Sequence, residues 1–289
     1  MNSRAIPQLL KQAWKEWNDD KAPRLGADLA YYTMFSLAPL LLIALSVAGM
    51  VFGEEAARGA IAEQISRTVG PAAATTIQDM VSHAGKSGSG AAAIIGVVTL
   101  LLGASGVFGQ LQEAMNTIWD VGPKPNKGLL GILKDRFLSF TMVLGTCFML
   151  LVSLLASAAI SGLAGFIGGG AEPVLHVLEA AMSLAVITVL FAMLFKFLPD
   201  VKVAWKDVWL GAFLTAVLFV AGKFALGMYL GRSGVASAYG AAGSVIVILL
   251  WVYYAAQILF FGAEVTKVYS KARIEHAIAE PNRNRMSDP

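Results

Sequence analysis

Charge is scarce in this 289-residue chain: Lys, Arg, Asp and Glu make up 14% of it, against roughly a quarter in an ordinary soluble domain. With a mean hydropathy of +0.66, that scarcity argues against a water-soluble globule. The single cysteine, Cys147, lies inside an apolar run, which excludes an intrachain disulfide and a cysteine metal site. The three histidines, His83, His176 and His276, are far apart, and no HExxH is present, so no metal site of the usual spacing is expected. Nor does the chain carry a GxxxxGK[ST] loop or a GxSxG elbow, the signatures of nucleotide-driven pumping and of serine hydrolysis. No cofactor and no catalytic residue are therefore expected. The net charge of +3 comes without a nucleic-acid-binding module, so nucleic acid is not expected as a partner.

What the chain has in abundance is long uncharged sequence. Residues 29–53, 137–171 and 233–263 contain no charged side chain, and a helix crosses the hydrocarbon core with about 20 apolar residues. The pattern predicts an all-α polytopic membrane protein with six spans near 29–53, 91–112, 137–165, 174–197, 208–231 and 239–264. A helical periplasmic insertion is expected over 54–86, within a membrane domain of 25–268. A polar cytoplasmic tail, 269–289, follows. Ahead of the spans, in 1–24, Ile6, Leu9, Leu10, Ala13, Trp14 and Trp17 recur at helical spacing, with Gln8, Lys11, Lys15 and Glu16 opposite. This is an amphipathic helix, suited to the membrane interface or to docking on the protein's own cytoplasmic face. No removable signal peptide is expected, the first span serving as the insertion signal.

Basic residues set the orientation, because Lys and Arg near span ends remain cytoplasmic. Five stand in the N-terminal tail, four in the second connection, three in the fourth and five in the C-terminal tail. The first, third and fifth connections carry three, none and one. Both termini are accordingly expected in the cytoplasm of a multi-pass inner-membrane protein. Membrane lipids are its expected surroundings.

The few polar groups inside the spans are the functional candidates, since such groups face a bundle interior or a water-filled cavity. Asp28, Tyr32 and Ser36 repeat every four residues, below Pro39, either as a seam lining a cavity or as the packing face of a kinked helix. Tyr253, Gln257 and Glu264 fall near one face of the sixth span. With Glu113 and Asn116, the groups Asp28, Gln257 and Glu264 sit at span ends of similar depth, where they either gate an inner mouth or cap helices and pair with basic residues such as Lys196. Lys223 is the one charge well inside a predicted span, about 22 Å along the fifth helix. It either snorkels to headgroups or meets an anionic substrate, with Glu172 or Glu179 as resting partner. Ser153, Ser157, Ser161, Gly165 and Gly169 form a ladder of small side chains that suits close helix packing, within or between subunits.

Four blocks, AYYTMFSLAP, FGQLQEAMNTIW, FKFLPD and YGAAGSVIVILLWVYYAAQILFFGAE, together resemble the YihY/BrkB family of bacterial inner-membrane proteins over roughly Ala22 to Val268. The resemblance implies six spans in the cytoplasmic membrane and a link to serum resistance and transport. The family's older ribonuclease BN label finds no support here, because no soluble catalytic domain or histidine-rich metal motif is present. It has no agreed binding residues to carry over. The expected function is movement of an anionic or lipid-like substrate across or within the membrane without an ATPase of its own. The alternative is a structural or assembly protein of the envelope.

Overall fold

The computed structural model describes residues 5–68, 74–79, 106–122, 172–233 and 243–285. Among them the fold is all-helical, without a strand. The helices are α1 (Ala5–Asp19), α2 (Ala22–Phe52), α3 (Glu54–Thr68), α4 (74–79), α5 (106–118), α6 (Glu172–Phe197), α7 (Trp205–Ser233) and α8 (Gly243–Arg285). Most of the predicted span 91–112, all of 137–165 and the small-residue ladder Ser153, Ser157, Ser161, Gly165 and Gly169 lie outside the described residues.

Local chemistry explains the helix ends. The Asp20 amide closes α1 by donating to the Glu16 carbonyl. Lys21 then adopts a left-handed backbone, φ 54°, and Pro23 stands in the first turn of α2, where its missing N–H costs nothing. α2 continues unbroken through Pro39 to Phe52. It stops at Gly53, whose φ of 85° is open to glycine and rarely to other residues.

Three of these helices are long and apolar enough to cross a membrane, over Ala180–Phe197, Trp205–Tyr229 and Gly243–Glu275. Their surfaces agree with that assignment. Along α7, Trp205, Trp209, Phe213, Val217, Phe224 and Met228 are exposed, an apolar face far longer than a soluble monomer leaves to water. Lipid is the solvent that suits it.

α8 organises the bundle by packing against α1, α2 and α7, while α6 packs on α7. The main core joins Leu29 of α2, Met115 and Ile118 of α5, Phe195 of α6, Val208 of α7 and Phe260 of α8. α3 doubles back along α2. Its Ile65 and α4's Ile77 enter a second cluster with Met34, Leu37, Leu41, Ile248 and Val252, so the insertion is anchored to the bundle rather than standing apart from it.

Both ends of the chain join the bundle. α8 continues past residue 264 to Arg285, and Thr266, Lys267, Val268 and Ser270 are buried. α1 is the cause. Its Leu9, Leu10 and Ala13 close over Val265 and Val268, so the amphipathic helix docks on the protein and covers the end of the membrane domain.

Candidate functional site

A buried polar network occupies the end of the bundle where α8 passes α1, the end of α5 and the start of α7. Its centre is Lys267, 1% exposed. The ammonium lies 3.0 Å from Asp120 after α5 and 3.1 Å from Glu16 of α1. Asp20 is 3.6 Å away and Glu264, one turn earlier on α8, is 4.0 Å away. Lys271 adds a second cation 3.1 Å from Asp120. Burying a lysine is costly unless it is paired, and here carboxylates from three segments converge on one.

The pairing shows in the titration of the outer groups. Burial works against charge on Glu16, yet the hydrogen bond and charge of Lys267, with Lys271 and Gln12 assisting, hold its carboxyl below the usual 4.5. Burial likewise opposes ionisation of Asp120, and Lys267 and Lys271 together outweigh it, holding the group below 3.8.

Asp207, in the first turn of α7, forms a second node. Arg273 of α8 ion-pairs with it, Nε 2.7 Å from Oδ1, while Nη2 donates to Oδ2 at 2.8 Å and Ser270 donates to the same oxygen at 3.1 Å. The planar fork matches the carboxylate, and the start of a helix favours its negative charge. A third node joins α5 to the turn after α6. Asn116 Nδ2 donates to Asp200 Oδ2 at 3.0 Å, and the Asp200 amide donates back to Asn116 Oδ1 at 2.8 Å. Beside it Lys196 donates to the Val203 carbonyl.

Neither the nitrogen nor the oxygen of the Gln257 amide on α8, nor Gln112 Nε2 on α5, makes a hydrogen bond among the described residues, although all three atoms are buried. Gln257 fits against α2 because Gly26 leaves room: a Cβ there would overlap its amide. Between α2 and α5 the small Gly106 lies beside the Ser36 hydroxyl and the Tyr32 ring.

The residues singled out from sequence thus separate. Glu264 joins the Lys267 network, and Asn116 pairs with Asp200 rather than with a basic residue. Ser36 and Tyr32 meet at Gly106, with Ser36 buried and Tyr32 exposed. Asp28 and Glu113 are exposed, and Tyr253 is half-buried. Lys223 stands apart, 16 residues beyond Asp207 on the same helix or about 24 Å of rise. It is half-buried, with Nζ 5.8 Å from the Phe224 ring centre. The side chains of Glu172 and Glu179 lie outside the described set.

Sequence reasoning missed Lys267, Glu16, Asp20, Asp120, Asp207 and Arg273 as site residues. It also passed over a legible signal. Gly211 and Thr215 on α7, and Gly262 and Thr266 on α8, repeat the same four-residue spacing on antiparallel neighbours.

Comparison with known proteins agrees with apolar, membrane-crossing helices. Residues 13–287 match the Virulence factor BrkB family. The chain belongs to that family. UPF0761 membrane proteins of Pseudomonas paraeruginosa and of Pseudomonas aeruginosa strain LESB58 are each 29% identical to it over 260 residues, covering 88% of this chain and 61% of the relative. A UPF0761 membrane protein of Tolumonas auensis is 28% identical over 274 residues, covering 92% of this chain and 86% of the relative. The chain thus spans about three-fifths of the length of the two Pseudomonas proteins. No solved structure matches it. Two of the sequence blocks that resemble the family, FGQLQEAMNTIW and FKFLPD, meet in space through Asn116 and Asp200.

Proposed function

We propose that this BrkB-family membrane protein moves an anionic or lipid-like substrate across or within the bacterial inner membrane, without an ATPase of its own. Six spans with both termini in the cytoplasm provide the frame. The observation that carries the reading is a set of buried amide atoms without a hydrogen-bond partner among the described residues: Nε2 of Gln112 on α5 and both polar atoms of Gln257 on α8. An unsatisfied buried polar group costs about 1–3 kcal/mol, and membrane helices keep such groups where substrates or ions pass. Gln257 and Glu264 are seven residues apart, two turns on one face of α8, and form a polar track ending at Lys267. Lys223, far along α7, supplies positive charge at another depth for an anionic cargo.

Purified protein reconstituted in liposomes tests this. Flux of a fluorescent anionic lipid or small organic anion that falls with Gln257→Leu, Glu264→Gln or Lys223→Met supports transport. Absence of flux, with all three variants unaltered in cells, overturns it.

The second reading is a structural or assembly role in the envelope. Tyr31 and Phe35 favour it, because they form an exposed aromatic patch on α2, with ring centres 4.9 Å apart, of the kind that partners cover. A stable protein partner lost on Tyr31→Ala/Phe35→Ala, with no flux, would select this reading.

A further inference from the structure

The turn between α6 and α7 has an unusual charge balance. It carries Lys196, Asp200, Lys202, Lys206 and Asp207 within twelve residues. Internal partners engage both acids: Asp200 is clamped by Asn116, and Asp207, 1% exposed, is gripped by Arg273 and Ser270. Lys196 is also engaged, donating to the Val203 carbonyl while its ammonium lies 5.8 Å from the Trp205 ring centre. Lys202 and Lys206 remain exposed, and among the described residues neither forms an ion pair. The fold thus buries Asp207 and ties the exposed Asp200 to Asn116, while Lys202 and Lys206 point outward.

Aromatic rings adjoin those lysines. Phe197 and Trp205 meet edge to face at 5.7 Å, and Trp205 and Trp209 lie 6.4 Å apart. All three are exposed. From Trp209 the exposed apolar face of α7 continues through Phe213 and Val217. Tryptophans of this kind sit at headgroup level, and lysines beside them attract acidic lipid.

We propose that Lys202 and Lys206, with the Phe197–Trp205–Trp209 ledge, form a binding site for an acidic glycerophospholipid of the adjoining leaflet. The phosphodiester lies against the two ammonium groups, the glycerol region against the indoles, and an acyl chain along Phe213 and Val217. The occupant is a lipid because the charged end and the apolar face are continuous: a free phosphate would use the lysines and leave the ledge bare. The site lies on the perimeter and operates whether or not the protein transports.

Native mass spectrometry of the full chain, released from neutral detergent and titrated separately with phosphatidylglycerol and phosphatidylcholine, tests the site. Tighter binding of phosphatidylglycerol by roughly tenfold is expected from two surface lysines. Lys202→Gln/Lys206→Gln should erase that preference and leave phosphatidylcholine binding unchanged. Lys202→Arg/Lys206→Arg should keep the preference, which preserves the test if the glutamine variant misfolds. Lys11→Gln/Lys15→Gln, which removes two exposed lysines of α1, should also keep it. Equal binding of the two lipids by the wild type overturns the proposal. So does a preference that survives the glutamine pair, or one that the α1 pair abolishes.

Discussion

Thr266 of α8 fills the hollow left by Gly211 of α7, so closely that a Cβ added at Gly211 would overlap its hydroxyl and come within 2.8 Å of the Gly262 carbonyl oxygen. The relation is reciprocal, because Thr215 of α7 fills the hollow at Gly262. Each threonine hydroxyl donates to the carbonyl four residues back on its own helix, Thr215 to Gly211 at 2.6 Å and Thr266 to Gly262 at 2.8 Å. The hydroxyls are satisfied locally, and at these four residues only van der Waals surface meets across the interface. Close backbone approach of this kind drives helix association where lipid removes the hydrophobic incentive.

Gly211→Ala should therefore force the two helices apart and cost about 1–3 kcal/mol, the usual penalty of overpacking. Gly227, on the same helix, has nothing among the described residues within 4 Å of an added Cβ. Gly227→Ala should be neutral or stabilising by up to about 1 kcal/mol, because alanine is the better helix former. Thermal unfolding of both variants in detergent checks the contrast. Equal effects would mean that Gly211 is not a contact point.

Loss of the Asp207–Arg273 fork should loosen the extension of α8 beyond the bundle. Arg273→Ala leaves Asp207 buried with only Ser270 and should cost on the order of 2 kcal/mol, below the 3–5 kcal/mol of a fully buried pair because Arg273 is itself one-third exposed. Arg273→Lys should recover less than half of that loss, since a lysine cannot make the two-pronged contact. Hydrogen exchange across residues 265–285 should report the loosening directly.

Apolar run length made the helices around 174–197 and 208–231 legible in the sequence, because lipid demands continuous apolar residues and permits no loop among them. The helical spacing of Leu9, Ala13 and Trp17 likewise revealed α1. Its partner stayed hidden. Docking on Val265 and Val268 depends on a surface more than 250 residues later in the chain. The charged nodes were illegible for the same reason: Lys271 and Asp120 are 151 residues apart, and Arg273 and Asp207 are 66 apart. Charges at span ends look alike in a sequence whether they face headgroups or one another. Asn116, read from the sequence as a gating or helix-capping group, pairs with the acid Asp200.

Docking of α1 should weaken in acid. Glu16 and Asp120 both titrate below their ordinary values of 4.5 and 3.8. A carboxylate depressed on folding contributes stability above its unfolded pKa and loses it as pH falls through the folded one. The α1 contact should accordingly be complete above about pH 5 and fade progressively below about pH 4. Asp120 is more than half exposed, so solvent screens its share and Glu16 carries more of the effect. Protection of the α1 amides, followed by hydrogen exchange between pH 7 and pH 3, measures it. Glu16→Gln should lower protection at neutral pH and flatten the acid dependence.

Gln257→Leu separates a structural amide from a working one. Both polar atoms of Gln257 are buried without partners, and the side chain fits the hollow at Gly26. Leucine is of similar volume and has nothing to desolvate, so the substitution should raise stability by about 1 kcal/mol, the lower end of the penalty for an unmade hydrogen bond. If substrate passes along α8, the same change should lower flux, and gain in melting temperature with loss of transport is the expected pair of results. A fall in melting temperature would instead mean that the amide is satisfied within the bundle. Glu264→Gln supplies the comparison: it keeps the shape and replaces the carboxyl group 4.0 Å from Lys267 with an amide. Loss of flux in both variants, with α1 still docked, would place the conducted path along the Gln257–Glu264 face rather than at Lys223.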